Sequence, residues 1–151
     1  MIEAYQLMKH NLVFLLEDNK STPVTVLEIL RDGLVVFDKT INNTKLVKFE
    51  EVHPIPLNIG IMLNMLKMSM SVLSDNKPSV FNKKEEIFYS YILDDDNDVL
   101  IITDPETDNC TVSIKLGNNT DKAIEVKGNV IKSVHQLQNF ITVVIGKSLV
   151  F

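Results

Sequence analysis

Three histidines, one cysteine and a run of alternating aspartates are the residues of this chain whose types suit chemistry. His10, His53, His135 and Cys110 are metal ligands or nucleophile–base partners by type. They lie scattered, without the Cys-x-x-Cys, His-x-x-x-His or His-Glu-x-x-His spacings that gather ligands on one turn or helix face. A hydrolase or nuclease would therefore need the fold to bring His53 and His135 together with a carboxylate. Cys110 opens a stretch of alternating polarity and reads as a small buried hydrophobe rather than a thiolate. Asp94, Asp96 and Asp98 have the odd-numbered spacing of a calcium loop. Yet Val99 stands where such a loop turns on glycine, and Pro105 where its bidentate glutamate belongs. A solvated hairpin turn is expected instead. No glycine-rich phosphate loop occurs, and the acidic residues fall in turns rather than as paired catalytic carboxylates. No catalytic residue, metal ligand or cofactor site is assigned.

The element that positions most remaining candidates is a helix expected over 133–145. Ile131, Val134, Leu137, Ile141, Val144 and Ile145 recur at three- and four-residue spacing, which at about 100° per residue collects them into one apolar stripe. Ser133 suits the N-cap, its oxygen accepting from an amide one turn on, and Gly146 suits the left-handed residue that closes a helix. On this wheel His135, Asn139 and Thr142 fall opposite the stripe and form a candidate partner-binding face. Gln138 lies beside the stripe with its amide partly buried, so it is expected to pin a loop or strand edge by hydrogen bonds.

Length and charge bound the class. At 151 residues with 45% hydrophobic and 23% charged side chains, the chain fits one domain or two small subdomains with a sizeable core. A net charge of −5 disfavours a broad phosphate-binding surface, so nucleic acid is an improbable partner. A single cysteine and the absence of a signal-peptide pattern point to a reducing cytoplasm. The longest apolar run, near 59–73, is interrupted by Gly60, Asn64, Lys67 and Ser69 and makes a poor membrane span.

In chain order, strands are expected at Asn11–Glu17, Pro23–Leu30, Leu34–Asp38 and Lys45–Val52, the middle two joined through the φ-permissive pair Asp32-Gly33. Four short strands with tight turns point to a small N-terminal antiparallel β-barrel, SH3-like, or a twisted sheet. Pro54 and Pro56 enforce an extended crossing poor in hydrogen bonds, taken as a hinge over 54–57. Asn58 caps a helix to about Ser69 that is apolar nearly all round, and its Met62 and Met65 are candidates for an adaptable partner surface. A surface loop follows over 74–86, then a meander: 87–93, 99–103, 110–116 and 123–126, with turns at 94–98, 104–109 and 117–121. Leu149-Val150-Phe151 is an apolar ending expected to pack as a last strand, or to exchange between subunits of a homo-oligomer. The fold class is α+β: a barrel subdomain over 1–53, the hinge, and a second part over 58–151 in which two helices pack an antiparallel meander.

Two stretches support a resemblance. His53-Pro54-Ile55-Pro56-Leu57 before a helix, and Val134-His135-Gln136-Leu137-Gln138-Asn139-Phe140 followed six residues later by Gly146, resemble segments of small uncharacterised proteins of Bacteroidetes phages, prophages and mobile elements. Asn11-Leu12-Val13 resembles their opening strand. The chain departs after Leu57, where those proteins carry a threonine and acidic residues and close the helix with glycine-phenylalanine. The resemblance implies a phage or prophage origin; it supplies no activity. Together these readings suggest a non-enzymatic, cytoplasmic accessory protein that binds a phage or host protein. An alternative is an acidic inhibitor of a host nucleic-acid-binding or defence protein. A second alternative is the hydrolase assembled around the histidines.

Overall fold

The computed structural model describes residues 2, 6–74, 85–93, 98–117 and 122–149. It comprises two compact units, one of residues 1–56 with 132–151 and one of residues 57–131. Both are built on an antiparallel five-stranded sheet, so the chain is α+β with two sheets and two helices. Among the described residues no helix is long and apolar enough to cross a membrane.

The first unit contains β1 (Leu12–Glu17), β2 (Lys20–Ile29), β3 (Leu34–Asp38), β4 (Asn43–Val47) and β5 (Val52–His53), in spatial order β4-β3-β2-β1-β5. The sheet does not close into a barrel: β4 and β5 are its edges. Asp18 and Asn19, both at positive φ (49° and 62°), make the two-residue turn between β1 and β2, where their short polar side chains tolerate the left-handed region. Gly33 ends the next turn for a different reason than φ. A Cβ there would stand 2.5 Å from the Val47 carbonyl oxygen, so only hydrogen lets β4 approach. The strand expected over 45–52 breaks at Val47. Lys48 donates its amide to the Glu51 carboxylate (2.6 Å), and Phe49–Glu51 winds into a 3-10 turn before β5 returns to pair with β1. Val13, Leu15, Val24, Val26, Leu34 and Val36 alternate onto one face and make the core with Val47 and Val52. Each such buried side chain contributes about 1.5–3 kcal/mol.

Helix α2 (Val134–Ile145) belongs to this first unit. That corrects the assignment of residues 58–151 to one part. The reason lies in the backbone at 54–56: Ile55 is buried and its carbonyl accepts from Val134 N (3.0 Å), while Pro56 makes an isolated antiparallel bridge with Ser133. The proline segment, expected to be poor in hydrogen bonds, holds the first turn of α2.

The second unit contains α1 (Ile59–Asn64), β6 (Ser69–Ser74), β7 (Glu85–Ile92), β8 (Val99–Thr103), β9 (Thr111–Lys115) and β10 (Ala123–Lys127), a meander in the order β10-β9-β8-β7-β6. Asn58 caps α1, its Oδ1 accepting from Ile61 N at 2.9 Å. The helix is shorter than the expected 58–69. Lys67 takes φ 55°, Met68 N donates back to Met62 O, and Ser69–Ser74 then pairs with β7 as an edge strand. Cross-strand rows place Tyr89, Ile102 and Val112 beside one another, and Leu100 beside Ile114, all buried on one face. Asp98 is buried rather than solvated, because its carboxylate accepts from Gly117 N on the adjacent turn. The rest of the expected acidic turn, and residues 75–84 and 118–121 of two other expected loops, lie outside the described residues.

Candidate functional site

Polar side chains converge around α2. Its buried stripe is Val134, Leu137 and Ile141, with Ile131 just ahead of it, and Val144 and Ile145 half-buried toward the end. Gly146 at φ 70° closes the helix, its amide donating to Thr142 O. Beside the stripe, Gln138 is buried and its amide has three partners: Oε1 accepts from Leu12 N (2.7 Å), and Nε2 donates to His10 O (3.1 Å) and Leu149 O (2.8 Å). One residue on, Asn139 accepts from Asn11 Nδ2 and donates to Gln6 O, both at 2.8 Å. Asn11 in turn accepts from Met8 N. This pair of amides ties the segment before β1 and the chain after α2 to one helix. His10, at φ 73°, makes the bend that brings its carbonyl to Gln138.

The three residues expected on an open partner face fare differently. His135 is only 3% exposed, Asn139 is half-buried and engaged at both ends of its amide, and Thr142 is half-buried. His135 is buried because the start of α2 lies on the 54–56 segment, which covers a part of the wheel that a single-helix view leaves open. Burial drives its imidazole well below the usual value, to about 4, so the ring is neutral at pH 7. Ser133 occupies the N-cap, but its hydroxyl makes no cap bond. It faces His135 Nδ1 at 3.0 Å instead. In the second unit Met62 is wholly buried and unavailable to a partner, and Met65 is half-buried.

Two cavities flank this helix within the first unit. One of about 280 Å³ lies at its start, lined by Ser133, His135, Gln136, Lys132, Gln6, Ile2, Pro54 and Pro56. The other, about 450 Å³, is an open groove along its side, lined by Gln6, Gln136, Asn139, Phe140, Val143 and Val144. Val143 is 71% exposed there. Among the described residues that line the cavity holding His135 there is neither His53 nor a carboxylate. Among the described residues no group of three or more His, Cys, Asp or Glu is placed to hold a metal. Cys110 is buried, and burial first, then the Asp104 carboxylate, pushes its thiol up and away from thiolate chemistry.

Sequence reasoning missed Asn11, Gln6 and the carbonyl of Leu149 as partners of α2. Their distance in sequence, up to 133 positions for Gln6 with Asn139, leaves no local signal. No family model, no curated protein and no solved structure matches this chain.

Proposed function

We propose that the protein is a non-enzymatic accessory protein of phage or prophage type, acting in the bacterial cytoplasm by binding another protein. The observation that carries this reading is an exposed apolar side chain on α2 outside its buried stripe. Val143, 71% exposed, lines an open groove with the half-buried Phe140 and Val144, on a helix whose stripe is already buried in the core. An apolar helix side left in water is a surface that a partner covers with gain of about 25 cal/mol per Å². The first sheet, in which β5 returns to β1 after the 3-10 turn, supports an SH3-like reading of the small N-terminal unit. The test is affinity capture from infected or lysogenic host cells with the wild-type chain and Val143→Glu. A protein held at high salt by the wild type and lost with Val143→Glu supports the reading. The same captured set with both forms refutes it.

Charge distribution favours a second reading, an inhibitor of a basic host protein. Residues 57–131 hold twelve acidic side chains against seven lysines, whereas the other unit is balanced at eight and eight. The whole net charge of −5 therefore belongs to the second unit. A partner retained by Val143→Glu and released by salt distinguishes this reading from the first.

A further inference from the structure

We propose that β4 is a pairing edge for a second copy of this chain, the two strands running antiparallel about Leu46 and joining two five-stranded sheets into one. The inference is independent of the groove on α2. Among the described residues β4 is an edge of its sheet, paired with β3 alone. Strand geometry decides which of its backbone groups look outward. The Val47 carbonyl oxygen faces β3, since a Cβ on Gly33 would stand 2.5 Å from it. Val47 opposes Leu34, so these two exchange the ladder hydrogen bonds. By the alternation of an antiparallel pair, Leu46 opposite Val35 does not. The amide and carbonyl of Leu46 therefore point away from the sheet. Thr44, the other residue of that parity, gives its amide to Asn43 Oδ1 (2.8 Å), so the open donor belongs to Leu46. The Leu46 side chain is 73% exposed and stands beside the half-buried Val35 on the face away from the core.

Edge strands are commonly guarded by a lysine that repels an incoming strand. The lysine of this strand is engaged elsewhere. Lys45 lies opposite the core residue Val36, and its ammonium is 2.6 Å from the Glu17 carboxylate on β1, three strands away in the sheet. Charge then selects the occupant and the register. The first unit holds eight acidic and eight basic side chains, so two copies meet there without net repulsion although the whole chain carries −5. Directly opposed residues of an antiparallel pair share a face, so identical strands related by a two-fold axis must centre on a residue. Centring on Lys45 sets two lysines opposite each other, a destabilising pair. Centring on Thr44 requires an amide that Asn43 already holds. Centring on Leu46 lets each copy donate its Leu46 amide to the Leu46 carbonyl of the other. It sets the two exposed leucines side by side and places Lys45 opposite the neutral Val47 of the second copy. On the outer face the row then runs Val35, Leu46, Leu46, Val35, apolar throughout.

A contact of one short strand pair belongs to the small, transient class of interfaces, so the test runs to high protein concentration. Sedimentation equilibrium of the full chain up to about 1 mM should show a monomer–dimer equilibrium, with hydrogen exchange at the Leu46 amide slowing as the dimer forms. Leu46→Lys puts like charges on the axis, and Leu46→Pro removes the outward amide at an edge position where proline is tolerated. Each should weaken the dimer about tenfold or more and leave the melting temperature of the dilute monomer unchanged, because the side chain replaced is exposed. Val143→Glu is the control and should leave the dimer intact. A chain that stays monomeric throughout overturns the proposal, and so does a dimer that both Leu46 variants retain. A dimer lost with Val143→Glu and kept by the Leu46 variants places the contact on α2 and also overturns it. Protection of the Leu46 amide only when a foreign extended peptide is added gives the edge to another protein and refutes self-pairing.

Discussion

Replacing Gln138 by alanine removes one acceptor and two donors from the interior of the first unit at once. Leu12 N loses its 2.7 Å partner, and the carbonyls of His10 and Leu149 lose theirs. A buried amide left unpaired costs about 1–3 kcal/mol, and a carbonyl, with two lone pairs, costs less. Loss of the buried methylenes adds about 1 kcal/mol. The expected total is about 3 kcal/mol. If the first unit melts on its own, that lowers its Tm by about 10 °C or more. Urea melts followed by far-UV circular dichroism give the stability change, and hydrogen exchange at the Leu12 amide localises it. Gln138→Glu sharpens the test because it keeps the volume and the acceptor for Leu12 but turns a carboxylate toward two carbonyl oxygens. Its pKa is therefore raised, and its deficit relative to wild type should shrink as the pH falls and the protonated acid donates to one carbonyl. The reasoning is refuted if Gln138→Ala stays within about 0.5 kcal/mol of wild type, the range of an ordinary surface change, with Leu12 exchange unaltered.

Three further outcomes are expected. His135 is neutral when folded down to about pH 4 but protonates near its ordinary 6.5 when unfolded, so its stabilising contribution is complete above 6.5 and is lost as pH falls toward 4. The loss approaches about 3 kcal/mol, and melting curves of wild type against His135→Phe between those pH values should converge toward acid if the assignment is right. Gly33→Ala should cost about 1–3 kcal/mol, because its Cβ meets the backbone oxygen of Val47 at 2.5 Å and the two strands must part; a thermal melt equal to wild type would contradict the geometry. Cys110 should react with a disulfide reagent at the rate of unfolding rather than that of a free thiol, and fast labelling of the native protein would show that its burial is wrong.

What local sequence determined is the alternation and the punctuation. Thr111–Lys115 is a strand because its even positions are apolar, and Leu34–Asp38 was legible, with both ends correct, as a β-rich run beside the turn pair Asp32-Gly33. Helix α2 was legible because its stripe has period 3.6 and Gly146 supplies the left-handed stop. Ser69–Ser74 was missed as a strand, because the apolar run before it was read as a helix reaching about Ser69 and a loop was expected from residue 74. Pairing with β7 decided it, after Lys67 turned the chain. Tertiary structure alone decided which sheet α2 joins, since an apolar stripe specifies that a helix must be covered but not by what. The Ile55 carbonyl and the Leu12 amide supplied the address. The same contact turned His135 from an expected surface residue into a buried one, because a helical wheel describes one neighbour and the proline segment is a second. Gln138 shows the boundary between the two kinds of information: its place beside the stripe requires that its amide find partners, and only the fold names them as Leu12, His10 and Leu149.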